Sequence, residues 1–401
     1  MFKYELKNTD NKARAWIFTT PHGSIETPVF MPVWTKSTVK WIHNSELDEM
    51  WAQIILNNTY HLYLRPWDKV IKHFWWIHKF SAYNKPMLTD SWWFQVFSLG
   101  NLRTSTVRSS LSPKLMGTKG ESLVKITEDG VHFRSFIDWS KHFFNAENVM
   151  DIQSNLGADI IMAFDECAPG TSTHDYAKKA MERTHRWAVR SLEQVIKNNK
   201  IRLSEWIYSQ ALFPIIQWVT FDDLRLESTR FITSLDTHWI AIGGLSVWEA
   251  KPEMYRILDI INPELPKNKP RYIMWIWTPE DLVECIYRWM DMFDCVLPTR
   301  IWRHWTAFSS FWYIRITNEQ YKLSDEKLDS TCECRVCKTY SKWYLRHLVK
   351  EDEMLGLQLL SYHNLYLLVN LAKKARIAIL ENKYDEFRNE FWNKYDLKLK
   401  K

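Results

Sequence analysis

Short apolar runs ending in a polar or small residue recur along this chain, separated by stretches long enough for a helix. LTDSWWFQVFSL (88–99), IIMAFDEC (160–167), FPIIQW (213–218), IAIGGLSVWE (240–249), RYIMWIWTP (271–279) and MDMFDCVLPTR (290–300) are six of them. Such alternation, with no second core, predicts an α/β protein whose parallel sheet is wrapped by helices. Candidate functional residues close at least five of the predicted strands and must meet at one mouth. A (β/α)8 (TIM) barrel does this better than an open doubly wound sheet. The expected helix–strand pairs are 45–52 with 53–56, 67–74 with 86–89, 147–156 with 160–164 and 173–198 with 212–216. Then come 221–235 with 240–242, 251–260 with 272–275, and 279–290 with 293–297. Residues 1–30 alternate and turn at Asp10-Asn11 and His22-Gly23, a β-rich lead-in. The expected division is a catalytic barrel domain over 1–320 and a cysteine-bearing, then helical, subdomain over 321–401.

A chain of 401 residues, 46% hydrophobic and 25% charged, suits a soluble globular protein with a large core. No run of 18 apolar residues exists, so no membrane helix is expected. The first residues, MFKYELKNTDNKARAW, lack the apolar segment of a secretory signal, so the expected location is cytoplasmic. A net charge of +6 is compatible with a polyanionic partner. Three of six cysteines cluster as Cys332-x-Cys334-x-x-Cys337, which in a reducing compartment argues for metal rather than disulfides. With one histidine, His347 or His363, they make a closed tetrahedral set suited to structural zinc. Cys167, Cys285 and Cys295 are expected to be reduced and mostly buried.

Asp90, Asp165 and Asp294 each end an apolar run. A carboxylate there is costly unless it is paired or used. The plain alternatives are a turn cap or an Arg300 ion pair for Asp294, a helix cap at Asp165 and a turn of Asp90 with Ser91. Two carboxylates flanking an anomeric carbon are how glycosidases stabilise an oxocarbenium-like transition state, but spacing alone assigns no roles here. Residues 101–121 are rich in Ser and Thr and carry Arg103, Arg108, Lys114 and Lys119. They read as an insertion, by default a solvated loop.

TYHLYLRP (59–66), FDEC (164–167), AIGGLSV (241–247) and MFDCVLPTR (292–300) resemble the motifs of bacterial tRNA-guanine transglycosylases, and the likeness runs from near the first residue to at least His363. The resemblance implies exchange of guanine at the tRNA wobble position for 7-aminomethyl-7-deazaguanine. Asp294 would be the nucleophile that forms a covalent Asp–ribose intermediate, and Asp90 the acid/base residue. Asp165, Gln217, the Gly244 N–H and Ser91 would hold the base. The Leu245 carbonyl and Glu249 would hold its aminomethyl group, and Phe94 and Met274 would stack on its faces. Val247 stands where eukaryotic relatives admit a bulkier base, which favours the bacterial substrate. Arg300 and Arg303 would grip the anticodon loop, whose target base must be flipped out. The metal set implied is Cys332, Cys334, Cys337 and His363 with structural Zn2+. A homodimer is expected, and no organic cofactor. The rivals are an inactive tRNA-binding homologue and a zinc-stabilised barrel hydrolase of a small molecule.

One departure recurs. The chain has 10 glycines and 23 tryptophans. Nineteen tryptophans stand where the family pattern has glycine or a glycine-type turn: 16, 34, 41, 51, 67, 75, 76, 92, 93, 139, 218, 239, 248, 275, 277, 289, 302, 305 and 312. Counting them as glycine gives 29 in 401, the ordinary usage of about 7%. The expectation is that these positions are glycine in the natural protein, encoded by UGA, and that Trp187 is a true tryptophan.

Overall fold

The structure, a computed structural model, describes residues 2–91, 124–217, 219–246 and 249–396. Phe94, the 101–121 insertion, Val247 and Trp92, Trp93, Trp218 and Trp248 lie outside the described residues. Two five-stranded parallel sheets join into one ring of eight staves. In order these are Val29–Met31 with Val33–Trp34, Ile55–Asn57, Met87–Thr89, Ile160–Met162, Ala211–Phe213 with Ile215–Ile216, Ile240–Ile242, Arg271–Ile273 and Met292–Asp294. The eighth stave closes on the first through Met292–Val29 and Asp294–Met31. Pro32 and Pro214 interrupt the first and fifth staves because proline has no N–H to give. Their carbonyls still accept, from Leu56 N–H at 3.0 Å and Ala241 N–H at 2.9 Å, so the ring continues through both.

Side chains alternate between two cores with period two. Leu88, Ile160, Met162, Ile215, Ala241, Tyr272 and Met292 fill the barrel interior. Ile161, Ile216, Ile242, Ile273 and Phe293 face the surrounding helices. The same parity turns the residues just past the strands inward: Asp90 follows Leu88 by two, Gln217 follows Ile215, and Asp294 follows Met292. The wrapping helices include Asn44–Glu49, Ala146–Leu156, His174–Ser204, Asp222–Ser234, Lys251–Ile261 and Pro279–Tyr287. The eighth helical place is taken by Met354–Leu380, which packs on the first stave and on Pro279–Tyr287 after the cysteine-bearing segment.

The expected elements occur within about three residues of their predicted ends, except the helix predicted over 173–198, which runs on to Ser204. Thr173 caps the helix His174–Ser204, and Thr278 with Pro279 starts Pro279–Tyr287. Elements that were not expected include the first stave, which lies at the end of the stretch read as a lead-in, the helices Thr59–Leu64 and Trp76–Ser81, the antiparallel sheet of Val124–Ile126, Val131–Arg134 and Lys141–Phe144, and the hairpin of Thr306–Ala307 with Ile314–Arg315. Each is short and carries only a turn or two of pattern.

Among the described residues, ten of the seventeen non-glycine residues with positive φ are tryptophans: 41, 51, 67, 75, 76, 139, 206, 275, 289 and 305. Left-handed backbone costs a residue with a Cβ about 1–2 kcal/mol. Ten such residues therefore cost on the order of 10 kcal/mol, comparable with the whole stability of a typical domain.

Candidate active site and metal centre

Three carboxylates stand at the C-terminal mouth of the barrel, and each is buried. Asp90 follows the third stave. Its oxygens accept from Asn58 Nδ2 at 2.6 Å and the Thr59 N–H at 2.9 Å, and the Thr59 hydroxyl donates to its carbonyl at 2.7 Å. Asp165 lies beyond the fourth stave, between Ser91 Oγ and Gln217 Nε2, each donating at 2.7 Å. Asp294 ends the eighth stave. The Tyr272 hydroxyl and the Trp275 N–H both donate to its Oδ1, at 2.7 and 3.0 Å, while Oδ2 accepts from no described residue. Burial pushes the carboxyls of Asp165 and Asp294 up to about 6 against these donors. Tyr272 is fully buried, and burial with the nearby charges of Asp294 and Asp90 pushes its hydroxyl well above the usual range. Arg300 forms no ion pair with Asp294, while the backbone N–H that Asp294 accepts comes from Trp275 in the loop after the neighbouring stave.

The sixth stave supplies the adjoining wall. Gly244 has φ +65°, and a Cβ there would lie 2.4 Å from Gln217 Oε1, so glycine is required twice over. The Ser246 N–H donates to Glu249, so the Leu245 carbonyl on the same peptide points the other way. Met274 is half-buried against the barrel interior.

Beside this mouth lie four cations, Lys36, Lys40, Arg300 and Arg303, none of which pairs with a carboxylate among the described residues. Burial lowers the Lys40 pKa, and Arg303, Arg300 and Lys36 lower it further. Burial, then Lys36 and Lys40, hold His61 down at about 4. Unpaired like charges on one rim suit a polyanion. Lys36 and Lys40 were not singled out from sequence, where they resemble any solvated lysines. Tyr272 and Asn58 were missed as well, because they act through partners distant in sequence.

Cys332, Cys334, Cys337 and His363 are buried, and their ligand atoms lie within 4.8 Å of one another. The three sulfurs stand 3.7, 3.4 and 3.3 Å from His363 Nδ1. Tetrahedral metal bonds of about 2.3 Å to sulfur and 2.0 Å to nitrogen put such atoms about 3.6 Å apart, so the set fits a metal ion. His363 Nε2 donates to the Phe308 carbonyl at 2.8 Å, which leaves Nδ1 its lone pair. His347 is not in the cluster. A second group, His22, His78 and Asp159, lies at the opposite end of the barrel. Its imidazoles stack at 3.5 Å and 12° and bond separate oxygens of Asp159. Parallel rings cannot aim two lone pairs at one ion, so this group pins the lead-in hairpin rather than binding metal.

Comparison with known proteins follows the same outline. The family model described as queuine tRNA-ribosyltransferase matches residues 9–397. A queuine tRNA-ribosyltransferase of Fusobacterium nucleatum is 46% identical over 395 residues, 98% of each chain. That of Caldanaerobacter subterraneus is 48% identical over 395 residues, 98% of this chain and 97% of the relative. That of Ruminiclostridium cellulolyticum is 48% identical over 394 residues, 98% of each.

Proposed function

The chain belongs to the queuine tRNA-ribosyltransferase family, and on that premise we propose that it exchanges guanine at the wobble position of tRNA for 7-aminomethyl-7-deazaguanine. The observation that carries this reading is Asp294, whose Oδ1 is held by Tyr272 and Trp275 while Oδ2 is left without a described partner. An ionised Oδ2 attacks C1′ of the flipped nucleotide, the glycosidic bond breaks, and guanine leaves with the bonding pair. Asp90 handles the protons: it protonates the departing base and takes a proton from the incoming one, whose nitrogen then displaces Asp294. Asp165, steadied by Ser91, reads the purine N1 and amino edge. Gln217 and the Gly244 N–H take the ring oxygen. The Leu245 carbonyl and Glu249 hold the aminomethyl group, and Phe94 and Met274 cover the faces. Arg300 and Arg303 grip the anticodon loop.

Zinc is the ion proposed for the three thiolates and His363, in a structural role, since the set leaves no open position. We also propose a homodimer working in the cytoplasm. Among the described residues no helix is long and apolar enough to cross a membrane. Family membership leaves the unrelated hydrolase without support. An inactive tRNA-binding homologue is favoured by one observation, the tryptophans at the mouth. Labelled guanine and unmodified tRNA separate the readings. Incorporation supports exchange, tRNA binding without incorporation supports the inactive homologue, and neither result rejects both.

A further inference from the structure

Arg225 is fully buried on the helix Asp222–Ser234, and though the Glu249 charge acts on it, every hydrogen bond it makes goes to a backbone carbonyl. It spends its N–H groups on four carbonyls. Nε donates to Val219 at 2.8 Å, Nη1 to Ile216 at 3.3 Å and Gly243 at 2.9 Å, and Nη2 to Gly244 at 3.1 Å. Ile216 and Val219 flank Gln217, and Gly243 shares its peptide with the Gly244 N–H. In a trans peptide the C=O and N–H point opposite ways, so anchoring the Gly243 carbonyl aims the Gly244 N–H away from Arg225. That N–H has no protein partner among the described residues. We propose that Arg225 is the positioning residue for recognition of the base's ring oxygen, clamping at once the two loops that carry Gln217 and Gly244. The proposal rests on the exchange reading. Lysine has three donors on a single point and cannot reproduce the planar fork.

The test compares guanine with 2-aminopurine, which lacks the ring oxygen and the N1 hydrogen, as inhibitors of the exchange reaction, in the full-length protein with glycine at the twenty positions inferred below and in its Arg225→Lys and Arg225→Gln variants. The parent is expected to prefer guanine at least 10-fold, and a variant that still melts cooperatively to lose several-fold of that preference, the remainder coming from the N1 contact of Asp165. A folded variant with the parent's preference overturns the role. If neither variant folds, Arg225 belongs to the fold alone and the proposal fails. A parent that binds neither base rejects the exchange reading itself, and Arg225's role with it.

A separate set of observations bears on the tryptophans. Trp51, Trp206 and Trp289 each stand one residue past a helix cap, with φ of 65°, 60° and 69°. Each is bracketed by the two hydrogen bonds of a Schellman ending: Ala52 to Leu47 with Trp51 to Asp48, Ile207 to Arg202 with Trp206 to Leu203, and Met290 to Cys285 with Trp289 to Ile286. That position is habitually glycine or asparagine. Three equivalent endings among the described residues use Ala82, Asp352 and Asn382. Trp206 is 99% exposed, so no packing compensates the strain. Trp16, Trp34, Trp239 and Trp302 have regular φ but bury an indole N–H without a partner. Trp187 and Trp392 instead donate at 2.7 Å, to the Glu128 carbonyl and Glu284, and Trp343 is exposed within a helix.

We infer that glycine stands in the natural protein at the nineteen positions named above and at 206, and that Trp187, Trp343 and Trp392 are genuine. A UGA codon read as glycine in the source accounts for all twenty. Tandem mass spectrometry of the protein from its natural source decides it. Glycine at 51, 206 and 289 with tryptophan at 187, 343 and 392 is the expected result. Tryptophan at 51, 206 and 289 overturns it and promotes the inactive-homologue reading.

Discussion

The barrel mouth and the cysteine centre both bury polar groups, and they treat them in opposite ways. At the centre every ligand atom faces the other three, and His363 spends its second nitrogen on the Phe308 carbonyl. Nothing is left over, so the set can only hold an ion. At the mouth one oxygen of Asp294 and the N–H of Gly244 have no described protein partner, and burial raises Asp165 and Asp294 to about 6. Groups kept under-satisfied in this way lower stability and are available to a ligand. The difference is that between a set whose groups satisfy one another and a set with groups left open to a ligand.

The largest effect expected is at the mouth. Asp294→Asn is expected to abolish a denaturant-resistant adduct with tRNA and to lower exchange by about 1,000-fold or more, whereas Asp90→Asn still permits some adduct. An adduct surviving in Asp294→Asn and lost in Asp90→Asn would exchange the two roles. Next comes the centre. Cys334→Ser should release the metal and lower stability by several kcal/mol, read from melting temperature and metal content, because metal binding free energy is folding free energy. If activity and melting survive both this change and chelation, the structural role is wrong.

The two regions should also answer pH with opposite signs. A carboxyl raised from 3.8 to about 6 on folding contributes stability below about pH 4 and loses it as pH rises through 6. At pH 7.5 the ionised Asp294 therefore costs up to about 3 kcal/mol. Asp294→Asn should melt above the parent at pH 7.5 and level with it near pH 4, while the parent's exchange rate falls below about pH 6. Thiolate ligands do the reverse, so acid should strip the metal and lower the melting temperature. Equal melting of Asp294→Asn and parent at pH 7.5 would remove the contrast. The smallest effect belongs to the rim. Lys36→Gln and Arg303→Gln should each weaken tRNA binding up to about 10-fold and reduce its salt slope by about one. An unchanged slope would place that residue off the RNA path.

Much of this was legible in the chain because the signals are local. Period-two runs and helix-length gaps specify the staves, and the residue two past Leu88, Ile215 or Met292 must face the interior whatever surrounds it. Cys332, Cys334 and Cys337 are visible as ligands because knuckle spacing is itself a local geometry. The swap of glycine for tryptophan could be counted, and family pattern placed nineteen of the positions. Trp206 escaped because it lies in no motif, and only its left-handed φ and helix-ending bonds mark it.

What tertiary structure alone decided are the pairings across sequence: Tyr272 with Asp294, Asn58 with Asp90, Gln217 with Asp165, His363 rather than His347 at the centre, and Arg225 behind four carbonyls. An isolated sequence shows that a group is polar and faces inward. It does not show which partner stands opposite, because that depends on how eight staves and their loops close on one another. Burial then sets the proton affinities of Asp165 and Asp294, a property of the assembled barrel and of no segment within it.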